Sequence, residues 1–205
     1  MQAETLAGLL SHLGRAGEPD RACGGLTGAQ LSALRYLARA NPMSRTASAL
    51  AAYQGTTRGT VSQTVKALVR AGYVTRTPSQ ADKRSVRLDL TDAGWAKLAQ
   101  APSDRLVAAL AQLPTDKRAA LADAAMSLNG ALSAQDPETG FGTCQSCRYL
   151  SDGDGDGDGD GADGGYCCQS GCALGAGDLE CLCAAYQPRT DAQSARPSAA
   201  GGRAS

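Results

Sequence analysis

Aromatic residues are scarce in this chain of 205 residues, at 4%, with a single Trp (Trp95) and a single Phe (Phe141). Leu, Ala and Val must therefore carry the core. Histidine occurs once, as His12 in the first predicted helix, far in sequence from any cysteine pair. A mixed Cys/His metal site is thereby disfavoured, and acid–base chemistry loses its usual agent. No nucleophile–base pair, phosphate loop or carboxylate dyad stands out, so the expectation is a protein that is not an enzyme. No run is long and apolar enough to span a membrane. The N-terminus MQAETLAGLLSHLGRAG lacks a basic leader and carries Glu4, so it does not read as a secretory signal. These absences point to the cytoplasm, where thiols stay reduced.

What is present is uneven charge and clustered cysteine. The formal net charge is +0, yet residues 44–91 hold eight Lys or Arg against two Asp, and residues 134–186 hold ten Asp or Glu against one Arg. A basic middle followed by an acidic tail suggests a nucleic-acid surface with something different behind it. The cysteines are Cys23, Cys144, Cys147, Cys167, Cys168, Cys172, Cys181 and Cys183. Cys23 stands alone in a Gly-rich loop and reads as an ordinary free thiol. In a reducing compartment the rest indicate metal, cluster or redox chemistry rather than a permanent disulfide framework.

Apolar spacing predicts a helix over 3–16, with Leu6, Leu9, Leu10 and Leu13 on one face. Thr27 with Gln30 is a capping box for a second helix, which ends near Asn41-Pro42. Two short helices follow, about 46–53 and 57–71, the latter capped by Thr57 and stopped by Gly72. VTRTP and VRLDL read as strands, with Val86, Leu88 and Leu90 expected to face inward. Thr91 starts another helix through Trp95 and Leu98. Ser103 and Thr115 are expected to cap helices of about 103–113 and 115–133, and residues 134–143 read as a linker. The expected fold is mainly α. It comprises an N-terminal dimerisation helix and loop (1–26), a winged helix-turn-helix (27–94), C-terminal dimerisation helices (95–134), a Cys-rich tail (135–187) and a disordered end (188–205).

Helix, turn, helix and a two-stranded wing form a specific order. In the 57–71 helix Val61, Val65, Leu68 and Val69 fall on one arc and must pack inward. The opposite arc carries Gly59, Thr60, Gln63, Lys66 and Arg70, with no acid among them. Such a face offers hydrogen bonds to base edges and cations to phosphates. Thr57 and Arg58 sit at the positive end of the helix, suited to phosphate. One such helix reads only a few base pairs, so a two-fold dimer is expected.

These residues carry a resemblance. TVSQTVKALVRAGYVTR, then Asp82-Lys83-Arg84-Ser85, then LDLTDAG resemble the winged helix-turn-helix of the MarR family, over about residues 27–94. The resemblance implies a homodimeric transcription factor on a pseudo-palindromic operator in double-stranded DNA, with no membrane partner. It implies that Gly59, Thr60, Ser62, Gln63 and Lys66 read the major groove. Arg84 would enter a minor groove at the wing tip, oriented by Asp82 and flanked by Lys83, and Arg45 and Ser48 would touch the backbone. It also implies that helices 3–16 and 115–133 interleave with their two-fold mates. The poverty in aromatics gives no support for a dedicated aromatic-ligand pocket.

In the tail, Cys144-x-x-Cys147 can chelate one metal from a single turn, and Cys167-Cys168 with Cys181-x-Cys183 can supply the other half. Adjacent cysteines do not easily face one ion. The favoured set is Cys144, Cys147, Cys168 and Cys183, with Cys167, Cys172 and Cys181 as alternates. The choice of Cys183 rests on a resemblance to a Cys-rich C-terminal extension of some MarR-like regulators. Zinc, an iron–sulfur cluster and a metal-free thiol–disulfide switch all stay open. The tail either makes DNA binding redox- or metal-responsive, or is a structural zinc knuckle for protein contact. The repeat between the cysteine pairs places Asp152, Asp154, Asp156, Gly157 and Asp163 on an EF-hand template. Gly159 stands where that template needs an apolar residue, and no helices flank the loop. Specific calcium binding is therefore not expected, and the repeat reads as an acidic linker.

Overall fold

The computed structural model describes residues 1–17, 24–78, 86–101, 104–135, 140–151 and 164–189. Cys23, the wing tip with Asp82, Lys83 and Arg84, Ser103, the Asp-Gly repeat and the C-terminal end lie outside the described residues.

The first helix, α1 (Ala3–Gly17), buries none of its residues, and its stripe of Leu6, Leu9, Leu10 and Leu13 is open to solvent. Helix α2 (Gly28–Arg39) begins as the sequence reading expects. Thr27 Oγ1 accepts from Gln30 N, while Gln30 Oε1 accepts from Thr27 N. Its Leu31, Leu34 and Leu37 are buried and anchor the main core. A short 3-10 turn, Pro42–Ser44, turns the chain into α3 (Ala47–Tyr53). Helix α4 (Arg58–Arg70) is capped by Thr57, whose hydroxyl accepts from Thr60 N. Past its end Gly72 takes φ +74°, a left-handed conformation that a glycine adopts without Cβ strain.

Strands β1 (Val74–Pro78) and β2 (Val86–Leu90) pair antiparallel, with Val74 opposite Leu90 and Arg76 opposite Leu88. The predicted alternation is corrected at one end. Leu88 is buried, but Val86 is 48% exposed because it lies beyond the edge of the core, where β2 enters from the wing. Helix α5 (Asp92–Ala99) has Thr91 as its cap. Helix α6 (Arg105–Ala111) is capped by Asp104, whose carboxylate accepts from Leu106 N and Val107 N, a role the sequence reading gave to Ser103. Thr115 is the first residue of α7 (Thr115–Gln135) rather than its cap.

The stretch read as a linker is partly built into the fold. Helix α7 runs on to Gln135, and β3 (Gly142–Thr143) pairs with β7 (Leu182–Cys183). The remainder of the tail is a small sheet of β4 (Leu150–Ser151), β5 (Gly165–Cys167) and β6 (Cys172–Leu174), followed by the single-turn α8 (Ala176–Leu179). No helix among the described residues is long and apolar enough to cross a membrane.

Candidate nucleic-acid interface and thiol cluster

The two faces of α4 separate as helical periodicity requires. Val61, Val65 and Leu68 are buried in the main core and Val69 packs partly against it. Thr57, Arg58, Gly59, Thr60, Gln63, Lys66 and Arg70 are exposed, and Ser62 is half-buried. Thr57 and Thr60 share a hydroxyl–hydroxyl hydrogen bond of 3.0 Å, and Thr64 Oγ1 donates to Thr60 O. The result is a helix that presents small, polar and cationic groups and no carboxylate.

Of the other predicted DNA contacts, Ser48 is exposed on α3. Arg45 is engaged within the protein. Its Nε donates to Ala40 O at 3.0 Å and its guanidinium pairs with Asp89 Oδ1 of the wing at 3.3 Å. Asp89 also receives Arg87 Nε at 2.7 Å and Thr77 Oγ1 at 3.2 Å. Burial pushes the Asp89 carboxyl up, but the hydrogen bonds from Arg87, Arg45 and Thr77 outweigh it and hold the group below the usual Asp value. Arg45 therefore ties the base of the wing to the α2–α3 corner.

That same corner receives the tail. Asn41 N donates to Leu182 O at 2.9 Å, and Ala40 and Leu182 form a parallel bridge. Ala184 N donates to Ser44 Oγ at 2.9 Å. Phe141 sits with Tyr53 and Tyr36, its ring 5.6 Å and 6.3 Å from theirs. Asn129 of α7 donates to the Phe141 carbonyl. The few aromatics of the chain are thus spent partly on seating the tail.

The cysteines sort clearly. Cys144, Cys147, Cys167 and Cys183 are buried, Cys172 and Cys181 are half-buried and Cys168 is exposed. The four buried thiols line one cleft of about 360 Å³ between the tail and α3. Its other walls include Ser48 and Ala52 of α3 and Arg58 at the head of α4. Of the favoured set, Cys144, Cys147 and Cys183 come together; Cys168 faces solvent and its neighbour Cys167 takes the inner position. Cys144 donates to Cys183, which pushes the Cys144 thiol up and draws Cys183 down. Asn41 Nδ2 donates to Cys144 Sγ at 3.5 Å, and Ser44 and the backbone N–H of Ala185 also favour the thiolate of Cys183.

Whether these residues suit a metal is tested by the donors around them. Among the described residues, no three His, Cys, Asp or Glu side chains stand close enough together to hold an ion as they are. Yet hydrogen-bond donors from Cys144, Asn41, Ser44 and the Ala185 backbone converge on Cys183, an arrangement that favours its thiolate. Ser170 Oγ, on the wall of the same cleft, is buried without a hydrogen-bond partner among the described residues. The donor set of four buried thiols is of the kind that suits a thiophilic ion.

The MarR family model matches residues 24–85. Those residues form a MarR-family domain. Solved structures to which the chain is similar include the following. A MarR transcriptional regulator from Methanosarcina mazei Go1 is 23% identical, over 64% of this chain and 99% of that one, with a TM-score of 0.48. The S. aureus MepR–DNA complex is 20% identical over 64% and 99%, with a TM-score of 0.48. A probable transcriptional regulator from Pseudomonas aeruginosa is 22% identical over 60% and 95%, with a TM-score of 0.43. No curated protein matches the chain. The MarR domain match ends at residue 85, so the thiol cluster lies wholly outside it.

Asn41 and Ser44 escaped the sequence reading. From sequence alone Asn41 reads only as the end of a helix before Pro42. It is fully buried, and its Oδ1 accepts from Ser44 N at 2.8 Å while its amide turns to Cys144. The Asn-Pro start of a 3-10 turn is the only local signal for it.

Proposed function

We propose that this chain is a cytoplasmic, homodimeric MarR-like regulator that binds a pseudo-palindromic site in double-stranded DNA. Its tail cysteines bind a metal ion or an iron–sulfur cluster, which makes DNA binding metal- or redox-responsive. The observation that carries the reading is the exposed face of α4, where Gly59, Thr60, Gln63, Lys66 and Arg70 stand clear of the core with no acidic residue among them. A helix so furnished suits the major groove, and Arg58 at its head suits a phosphate. The wing residues Asp82, Lys83 and Arg84 extend the contact to the adjacent groove.

Dimerisation is supported by apolar surface that one copy leaves uncovered. Leu6, Leu9, Leu10 and Leu13 of α1 and Leu121, Leu128 and Leu132 of α7 are 38–50% exposed. Patches of this kind call for a partner. Arg39 and Arg35 pair with Asp104 at 3.3 and 3.8 Å, linking α2 to the start of α6.

The second reading is a regulator whose tail is a structural zinc knuckle with no sensing role. The Ala40–Leu182 bridge favours it, because a tail hydrogen-bonded into the domain would brace the fold whatever its occupant. Selection of bound fragments from random duplex DNA, followed by anisotropy titration, tests DNA binding. The expected result is an enriched two-fold site and loss of that preference in Gln63→Ala. Absence of any enriched sequence would contradict the reading.

A further inference from the structure

Within the tail the structure separates ligands from bystanders. Cys144 and Cys147 flank a 3-10 turn in which Cys147 N donates to Cys144 O at 3.0 Å. Cys183 ends β7, which pairs with β3 just before Cys144. Cys167 ends β5, in a turn closed by Gly171 N donating to Cys167 O, with Gly171 at φ +66°. Three separate stretches of chain thus bring four buried thiols to one cleft. The remaining three are otherwise occupied. Cys172 Sγ donates to Ser170 O at 3.4 Å, Cys181 Sγ donates to Gly177 O at 3.3 Å, and Cys168 is exposed. None of these three lines the cleft that the four buried thiols share.

The contact between Cys144 and Cys183 bears on the kind of occupant. Two thiolates on one tetrahedral ion, each at about 2.3 Å from it, lie about 3.8 Å apart, which is the reach of a thiol–thiol hydrogen bond. In a four-iron cluster each cysteine binds a different iron and the thiolates do not touch, so the contact argues against that cluster. A two-iron cluster, where two cysteines share one iron, is separated from a single ion by the iron and sulfide content of the chain. The donors around the pair complete the picture. Asn41 Nδ2 lies 3.5 Å from Cys144 Sγ, and it belongs to the MarR domain, 103 residues away in sequence. Hydrogen bonds of this kind orient metal-bound ligands and tune their basicity.

Resting on the reading that the tail takes a metal, we infer that Cys144, Cys147, Cys167 and Cys183 bind one tetrahedral ion of the zinc class, with Asn41 of the MarR domain as the outer hydrogen-bond donor to its thiolates. Filling the site requires Cys167 and Cys147 to close on the Cys144–Cys183 pair. The Cys144–Cys183 side of the site already rests on Asn41 and Ser44, beside Arg45 and the wing it holds. The cleft itself reaches Ser48 and Arg58, so the ion sits behind two residues of the proposed DNA face. Occupancy and the placement of the helix-turn-helix are therefore linked through one hydrogen-bonded corner.

The test uses the full chain, reduced and free of oxygen, titrated with cobalt(II) and then zinc(II). The expected result is one cobalt per chain with the strong visible bands of a tetrahedral thiolate site, displaced by zinc. Cys167→Ser should weaken cobalt binding at least tenfold and change the bands, while Cys168→Ser, in the same turn, should leave both unchanged. Asn41→Ala should keep the stoichiometry and weaken binding by about tenfold. Helicity by circular dichroism separates a lost ligand from a lost fold, and a Cys168→Ser,Cys172→Ser,Cys181→Ser triple variant that still binds one cobalt supports the assignment without touching the site. Loss of binding in Cys168→Ser with retention in Cys167→Ser would overturn the ligand set. Stoichiometric iron and sulfide in the purified chain would overturn the single ion while leaving a metal-binding tail. A Cys144–Cys183 disulfide with no metal uptake by the reduced chain would overturn both.

Discussion

The MarR domain and the tail reach a folded state with different materials. In the first, Leu31, Leu34, Leu37, Leu50, Val61, Val65, Leu68, Val74 and Leu88 are buried to 2% exposure or less. In the second, among the described residues, Leu174 and Tyr186 are the buried apolar side chains that cluster with the four cysteines. Apolar burial on the scale of the first region stabilises a domain by itself. A module as small and as poor in apolar residues as the second needs a cross-link to hold. The comparison teaches that one chain joins a region held by apolar burial to a region short of it, for which the proposed thiol-bound occupant would supply the missing cross-link. The two meet at Asn41 and Ser44.

The largest effect that would break this comparison is in the domain core. Leu34→Ala should cost about 2–5 kcal/mol, read from urea unfolding by circular dichroism. A change under about 1 kcal/mol would mean the site collapses freely and the domain is not core-held. Next, chelation should speed amide exchange across residues 164–189 while α2 and α4 keep their protection. Equal loss in both regions would show that the domain leans on the tail as well.

Smaller effects sharpen the contrast. Lys66→Ala should weaken DNA binding alike on all sequences and lower the salt slope by about one unit, measured by anisotropy over a salt series. An unchanged slope would remove Lys66 from the interface. The smallest effect concerns the wing. Asp89 is held below its ordinary value, so the stability it contributes is present above about pH 4, where the unfolded carboxyl is already ionised. That contribution is lost as pH falls through the lower folded value. Asp89→Asn should flatten this acid limb by no more than about 1 kcal/mol, since the pair is partly exposed. An unchanged limb would show that the Arg45–Asp89 bridge adds nothing to the domain.

Much of the helix-turn-helix was legible because its signals are local. Thr27, Thr57 and Thr91 cap their helices with hydroxyls that accept from the third residue on, and Gly72 stops α4 as its type suggests. Val86 was misplaced because strand alternation gives the phase of side chains but not where the core ends. Asp104 took the cap expected of Ser103, since either residue type can fill that role and only the backbone decides. The inner cysteine of the 167–168 pair was illegible for a related reason. Adjacent strand residues face opposite sides, and a strand of three residues carries no pattern to fix the phase. Its phase is set by pairing Cys167 with Leu150 of β4. The Asn-Pro pair signals the turn that Asn41 caps but not its contact with Cys144, because that sulfur is 103 positions away.

The most direct test is DNA affinity against metal state. The full chain would be titrated into a selected duplex, zinc-loaded and chelated in parallel, with zinc content measured on the same samples. The account predicts about a tenfold or larger difference in Kd between the two, as expected for coupled sites, and its loss in Cys167→Ser. Identical affinities, with one zinc per chain in one sample and none in the other, would contradict it and leave the tail a structural appendage.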